Sequence, residues 1–327
     1  MFSLFSRIFA QSPHSSEARA DLRIMFYNVE NLFDTIDDSL HDDEDFLPGG
    51  KKKWRFSRYK KKLKNIYKVI VNAGGPRPPE IIGLCEVENK KVLEDLLLHT
   101  PLNIYSYEIL HAESEDKRGI DVALLYAADS LSVLSARWLK VDFGKENNER
   151  TRDILHATLL VYHCDTIDVF VNHWPSRRGG KEVTEKKRLA AAHTLIKAIV
   201  DVRKQRSDAK IVVMGDFNDE PDDLSMQTLA QQGQMQNLST KSQGQKGTIR
   251  FEGQWSLFDQ ILVSDPLINA SKKLYCQPED FRIFAPPYLL IADEKYLGYK
   301  PAPTYNGRRY QGGYSDHLPI ILDLWKL

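Results

Sequence analysis

The chain has 327 residues, 42% hydrophobic and 28% charged, with 45 basic and 45 acidic side chains that cancel. That length fills a large core in one or two domains, and these proportions are those of a globular protein rather than a disordered or fibrous one. No run of about 18 apolar residues exists, which excludes a transmembrane helix, and Cys85, Cys164 and Cys276 are too few and too scattered for a disulfide framework or a zinc motif.

In chain order, residues 1–20 read as a leader or disordered segment. Met1–Ala10 is mildly apolar but broken by Ser3, Ser6 and Arg7, and Ala18-Arg19-Ala20 resembles a cleavage site without a proper apolar region before it. Cytoplasmic and exported locations therefore both stay open. Residues 21–327 read as a single domain, with no low-complexity linker and no internal repeat. Leu22–Tyr27 is a strand, followed by an acidic loop with seven acidic residues between Asp34 and Asp45. Lys51–Lys64 then carries nine Lys or Arg in fourteen, interleaved with Trp54, Phe56 and Tyr59. Such a patch can meet a polyanion, although a charge run is often only a solvated face.

Leu63, Ile66, Tyr67 and Ile70 recur at helical spacing from Tyr59 to Val71, leaving Lys60, Lys61, Lys64 and Lys68 for the outer face. Glu80–Cys85 is a strand and Lys90–Leu98 a short helix. Strands follow at Tyr105–Leu110, Val122–Tyr126, Leu131–Leu139, Ile154–Val161 and Ile167–Val171, then a long helix from about Glu182. Ile211–Met214 is nearly all β-branched, the mark of an interior strand. Ser225–Lys246 reads as helix plus surface loop, and Thr248–Phe251, Phe258–Val263 and Leu318–Leu322 close the series. Many strands, a few long helices and no regular βα alternation point to an α+β sandwich.

Polar residues stand at the ends of these strands. Asn28 and Glu30 follow the first, Glu86 the second, His173 the strand at Ile167, Asp216 and Asn218 the strand at Ile211, while Asp259 opens one strand and Asp316-His317 precedes the last. Strand ends are where a rigid scaffold aims side chains at a ligand. Gly215-Asp216-Phe217-Asn218-Asp219 taken alone is equally an ordinary Asx-rich turn. A glutamate directly after an apolar run is costly unless hydrated, paired or bound to metal, and hard oxygen donors without a cysteine cluster favour Mg2+ or Mn2+. At His173, a neutral imidazole can orient a phosphate oxygen, whereas a protonated one can donate a proton. The neighbouring Arg177-Arg178 pair can bind phosphate or simply face solvent.

The ordered set Asn28-Val29-Glu30-Asn31-Leu32-Phe33, Glu86-Val87-Glu88-Asn89, Arg118-Gly119-Ile120-Asp121-Val122-Ala123-Leu124-Leu125, Asn172-His173, Gly215-Asp216-Phe217-Asn218, Phe258-Asp259-Gln260-Ile261-Leu262-Val263-Ser264 and Ser315-Asp316-His317 resembles the endonuclease/exonuclease/phosphatase superfamily from about Leu22 to Leu327. The motif style is similar to that of bacterial secreted nucleases. The resemblance implies a DNase I-like four-layer sandwich, in which two facing mixed or antiparallel sheets are flanked by helices. It implies Glu86 as metal ligand, Asn28 and Asp316 near the same ion, and Glu30 at the place of a second metal-associated acid. Asp216 would orient or deprotonate the attacking water, Asn218 would hold a phosphate oxygen, His317 would contact the phosphoryl group and help activate the nucleophile, and Asp259 would hold a catalytic histidine in position. His173 matches the DNase-like and sphingomyelinase-like branches and makes abasic-site repair less fitting. Arg152 resembles an arginine that reaches a backbone phosphate, with Arg118 in support.

The implied reaction is direct attack of water on phosphorus without a covalent intermediate, assisted by Mg2+ or Mn2+, as one ion or two. Arg152, His173 and the Trp54-Arg55-Phe56 segment lean toward nucleic acid and an endonuclease acting on DNA. Sphingomyelinase-like or inositol-phosphate-type phosphoesterases share the same site residues. Phe284–Ile291 reads either as an apolar edge for a lipid or as a packed loop or strand, and an inactive binding module is the alternative of another class. No oligomerisation signature is present.

Overall fold

The computed structural model describes residues 20–144, 149–241, 244–268 and 273–327, so the leader reading lies almost wholly outside the described residues. The first sheet is built on β1 (Leu22–Leu32), β2 (Ile81–Val87), β3 (Tyr107–His111) and β4 (Asp121–Ala127). β1 is central: it pairs in parallel with β2 on one side and antiparallel with the C-terminal strand Ile320–Lys326 on the other. β4 joins β2 antiparallel, β3 forms one edge, and the short strands Leu274–Tyr275 and Phe281–Ile283 dock on the C-terminal strand.

The second sheet runs β5 (Leu131–Leu139), β6 (Ile154–Val161), β7 (Asp165–His173), β8 (Lys210–Asp216), the strand Asp259–Ser264, and then β9 (Met235–Asn237) at the edge. Only β7 and β8 pair in parallel there. Alternation along β8 shows how the layers stack. Val212 and Met214 join the core shared with β1 and β2, whereas Ile211 and Val213 join the core under the helices α3 (Lys181–Gln205) and α4 (Leu224–Gln232). A strand buried on both faces reads as one apolar run, which is why Ile211–Met214 shows no polar alternation. Gly83 makes room for a side chain of the facing sheet: a β-carbon there would lie 2.6 Å from the Met214 Cε.

The first sheet is covered outside by α1 (Phe56–Gly74) and α2 (Lys90–Leu98). The architecture is the expected α+β sandwich of two mixed or antiparallel sheets flanked by helices. Most elements extend a few residues past the apolar runs that announce them, because backbone pairing continues into the polar strand ends. Within Ser225–Lys246, read as helix and loop, Met235–Asn237 pairs with Leu262–Ser264; three residues are too short a run to announce a strand. Among the described residues no helix is long and apolar enough to cross a membrane.

Candidate active site

Register alone assembles half of the site. β7 and β8 place His173 opposite Asp216, and β8 and the Asp259–Ser264 strand place Asp216 opposite Asp259. Residues directly opposite on neighbouring strands project to the same face about 5 Å apart, so three chemically active side chains form one row along the rim of the second sheet. Gly215 precedes Asp216 because β7 comes too close for any side chain: a β-carbon there would lie 2.5 Å from the Asn172 carbonyl oxygen. Asn218 has φ 51°, a left-handed backbone that asparagine tolerates well. Its backbone N–H donates to Asp216 Oδ1 at 3.0 Å, and its Nδ2 donates to the Trp174 carbonyl at 3.1 Å.

The first sheet contributes the facing rim. Asn28 pairs with Cys85 across β1 and β2, and its Nδ2 donates to Asp216 Oδ2 at 3.0 Å, a direct bond between the two sheets. Glu86 sits at an irregularity in β2 with φ 60°, and Glu30 and Asn31 are also left-handed, at 52° and 55°. Bulged, strained backbone of this kind re-aims side chains and concentrates at functional sites. The Glu86 carboxylate accepts the Asn31 N–H at 2.8 Å through Oε2, and its Oε1 lies 4.0 Å from His173 Nε2.

The loop ahead of the C-terminal strand bridges both rims. Ser315 Oγ donates to the Asn28 carbonyl at 2.7 Å and accepts the His317 N–H at 3.1 Å. The ring of His317 meets Asp259 with Nδ1 2.7 Å from Oδ2, and its Nε2 lies 3.8 Å from Asp216 Oδ2. Asp316 keeps solvent access beside this buried pair.

The two histidines are shifted in opposite directions. Burial disfavours charge on His317, but Asp259 and Asp216 outweigh it and hold the imidazole well above its ordinary value. Burial likewise disfavours charge on His173, and there Arg152, Arg118 and His317 add to the effect and push it well below. Asp216 is raised to about 6 by burial, with His317 opposing the rise and Asp259 adding to it. Glu30 is raised to about 7, mainly by burial and by the charge of Asp316.

Several expected substrate contacts occupy other places. Trp54 is fully buried: its Nε1 donates to the Phe33 carbonyl, and its ring packs with Phe46 and Tyr305, so no face is free to stack on a base. Arg55, the residue before α1, is exposed. Arg152 is buried, donating to Asp116 Oδ2 at 3.0 Å and to the Trp174 carbonyl at 2.7 Å. Arg177 stands behind the site, donating to the Asn218 carbonyl and to Asp219 and Asp223 while lying over the Phe258 ring. Arg118 is the more open arginine, its side chain 45% exposed. Glu30 is spoken for on both oxygens, which accept the N–H groups of Thr304 and Tyr305 at 2.5 and 3.0 Å.

Sequence reasoning overlooked Lys62, Asp116 and Trp174. Lys62 is buried inside the basic run and donates to Thr304 and to the Tyr314 carbonyl, with its charge facing Glu30 and Asp316. Its helical spacing from Tyr59, Leu63 and Ile66 was the available signal, since those residues define the buried face. Asp116 and the Trp174 carbonyl act by holding Arg152 and Asn218, and no local pattern marks them.

The donor set suits a hard divalent cation. Among the described residues, Cys85, His173 and Asp216 bring one ligand atom each within 4.8 Å of one another, and so do Asp216, Asp259 and His317. Burial pushes the Cys85 thiol well above its ordinary value, which disfavours the thiolate a soft metal would need. Glu86, whose Oε1 has no hydrogen-bond partner among the described residues, the solvent-accessible Asp316 and the Asn28 amide add oxygen donors at the same rim.

The fold has counterparts among known proteins. The profile described as Endonuclease/Exonuclease/phosphatase family matches residues 23–326. Among solved structures, a functionally unknown conserved protein from Enterococcus faecalis V583 superposes with a TM-score of 0.60 at 16% identity, covering 94% of this chain and 100% of that one. A mannosyl-6-phosphatase from Bacteroides thetaiotaomicron gives 0.60 at 16% identity, covering 93% and 99%. TDP2 from D. rerio complexed with a single-strand DNA product gives 0.55 at 15%, covering 93% and 98%. A search of curated proteins found no match, so these likenesses carry the fold and not the substrate. With a profile spanning nearly all of its length and a rim where both sheets converge on carboxylates, amide and imidazoles, the chain belongs to the endonuclease/exonuclease/phosphatase family.

Proposed function

We propose that the chain is a divalent-metal-dependent phosphodiesterase that cuts nucleic acid, DNA foremost, as an endonuclease. The observation that carries the substrate choice is the continuity of a basic surface with the site. Lys52 Nζ donates to the Gly307 carbonyl at 2.7 Å, and Arg58 lies 4.3 Å from the centre of the Tyr310 ring. The same turn supplies the N–H groups that hold Glu30. Lys53 and Arg55 on the first of these segments and Arg308 and Arg309 on the second are exposed, basic groups suited to tracking a phosphate backbone.

Glu86, with Asn28 and Asp316, would hold Mg2+ or Mn2+, which supplies charge stabilisation at the phosphoryl and leaving oxygens. Asp216 orients the attacking water and accepts its proton while oxygen bonds to phosphorus and the bond to the leaving oxygen breaks. His317, kept cationic by Asp259, neutralises charge growing on the phosphoryl oxygens. His173, kept neutral, donates a hydrogen bond to the same group, and the Asn218 amide binds a further oxygen.

A second reading, lipid or small phosphoester hydrolysis, draws on a different surface. Phe251, Leu297 and Tyr299 are exposed on two hairpins that Arg250 joins by donating to the Tyr299 carbonyl. Ile249 of the first hairpin bridges to His317. The test is parallel hydrolysis of plasmid DNA, single-stranded DNA, RNA, sphingomyelin and inositol phosphates with Mg2+, Mn2+ and EDTA. Metal-dependent nicking of the plasmid without shortening from its ends supports the proposal. Turnover confined to lipid or small phosphoesters replaces it with the second reading, and no turnover on any substrate overturns both.

A further inference from the structure

We infer that a second divalent-cation site, independent of the phosphoesterase centre, sits at the neck of the loop joining β3 to β4. His111 is the last residue of β3 and Asp121 the first of β4, and Glu113 lies in the loop between them. One ligand atom from each falls within 4.8 Å of the other two. Two donors bound at about 2.1 Å to one ion stand no more than about 4.2 Å apart, so a small closure completes the set.

What marks this cluster is a buried ring nitrogen and a buried carboxylate oxygen left without hydrogen-bond partners among the described residues. The side chains of His111 and Asp121 are only 2% and 3% exposed, and His111 Nε2 and Asp121 Oδ2 face each other at 3.6 Å. Neither atom has a hydrogen-bond partner among the described residues. Asp121 Oδ1 accepts the Ser114 N–H at 3.0 Å, which leaves Oδ2 aimed at the gap. Buried polar atoms are nearly always partnered, and leaving two unpaired in one small space is costly unless something binds there. One imidazole with two carboxylates suits Zn2+ or Mn2+ better than the all-oxygen preference of Mg2+.

The position gives the site a purpose. The loop that the cation would close carries Asp116, which holds Arg152, and Arg118. A cation at its neck would therefore hold Asp116, and through it the buried Arg152, in place without touching substrate. The competing arrangement is a proton shared between Glu113 and Asp121, which lie within hydrogen-bonding reach.

The test is metal content and melting of the full chain, stripped with EDTA, reloaded with Zn2+ or with Mn2+, and desalted. His111→Gln, Asp121→Asn and Glu113→Gln should each hold about one equivalent less of the added ion than the parent and lose the corresponding rise in Tm. Their melting in EDTA should match the parent's. Glu113 is the exposed member, so Glu113→Gln carries the test if a buried substitution disturbs folding. Glu86→Gln should keep this equivalent, which separates the result from the fate of the phosphoesterase proposal. Equal metal content in the parent and all three variants overturns the inference, as does loss of the equivalent in Glu86→Gln alone.

Discussion

The two rims that face each other across the site are built from similar residue types but prepared differently. On the second sheet, His173, Asp216 and Asp259 are buried and aligned by strand register, and Asp216 and Asp259 are tied to Asn28, Asn218 and His317. On the first sheet, Glu86, at a left-handed kink, keeps one oxygen without a hydrogen-bond partner among the described residues, and Asp316 is open to solvent. A group that must bind an exchangeable ion has to stay accessible, whereas one that must act on a transition state gains from being fixed beforehand. Access and preorganisation are thus divided between the two sheets.

The largest expected effect comes from the open rim. Glu86→Gln keeps the shape and removes the charge, and should cut metal-dependent hydrolysis by at least about 10³-fold with an unchanged circular dichroism spectrum. Near-normal turnover would show that the first sheet does not hold the ion. On the fixed rim, Asp259→Asn should lower kcat by about 10²-fold while sparing KM, because His317 loses the carboxylate that keeps it cationic. NMR titration of His317 should show its pKa falling toward the ordinary range; an unchanged value would place the charge-holding role elsewhere.

Acidity sharpens the comparison next. Asp216 ionises near 6 in the folded protein against an ordinary 3.8. In ion-free protein, Asp216 should therefore take up its proton as pH falls through about 6, read from its carboxyl carbon by NMR. The same shift means that the folded state binds this proton more tightly than the unfolded chain. Its contribution to stability is full below the ordinary carboxylate value and is lost as pH rises from there through about 6. Ion-free protein with Asp216→Asn should lose that part of its pH dependence in denaturant titrations. The smallest effect falls on the rim's support: Asp116→Asn should loosen Arg152, raise the pKa of His173 and cost roughly tenfold in kcat, with the fold intact.

The fold was legible because its signals are local and redundant. Lys90–Leu98 and Leu131–Leu139 agree with their sequence reading to the residue. The site residues were nameable because polar groups at the ends of apolar runs have few structural reasons to be there. Trp54 and Arg152 show the limit. An aromatic within a lysine run reads as a base-stacking platform, and an arginine near an active-site motif reads as a phosphate clamp. Which way each one faces depends on Phe33 and Asp116, residues distant from them in the chain.

The sequence by itself determined the family, the two-sheet sandwich and the inventory of acids, amides and imidazoles, since periodicity and ordered motifs are written along the chain. Only the tertiary structure decided which of these groups meet, which stay open, and that the pKa of one histidine is pushed up while that of the other is pushed down. Those properties arise from burial and from charges brought together by strand pairing, and the distances that set them do not exist until the sheets have closed on each other.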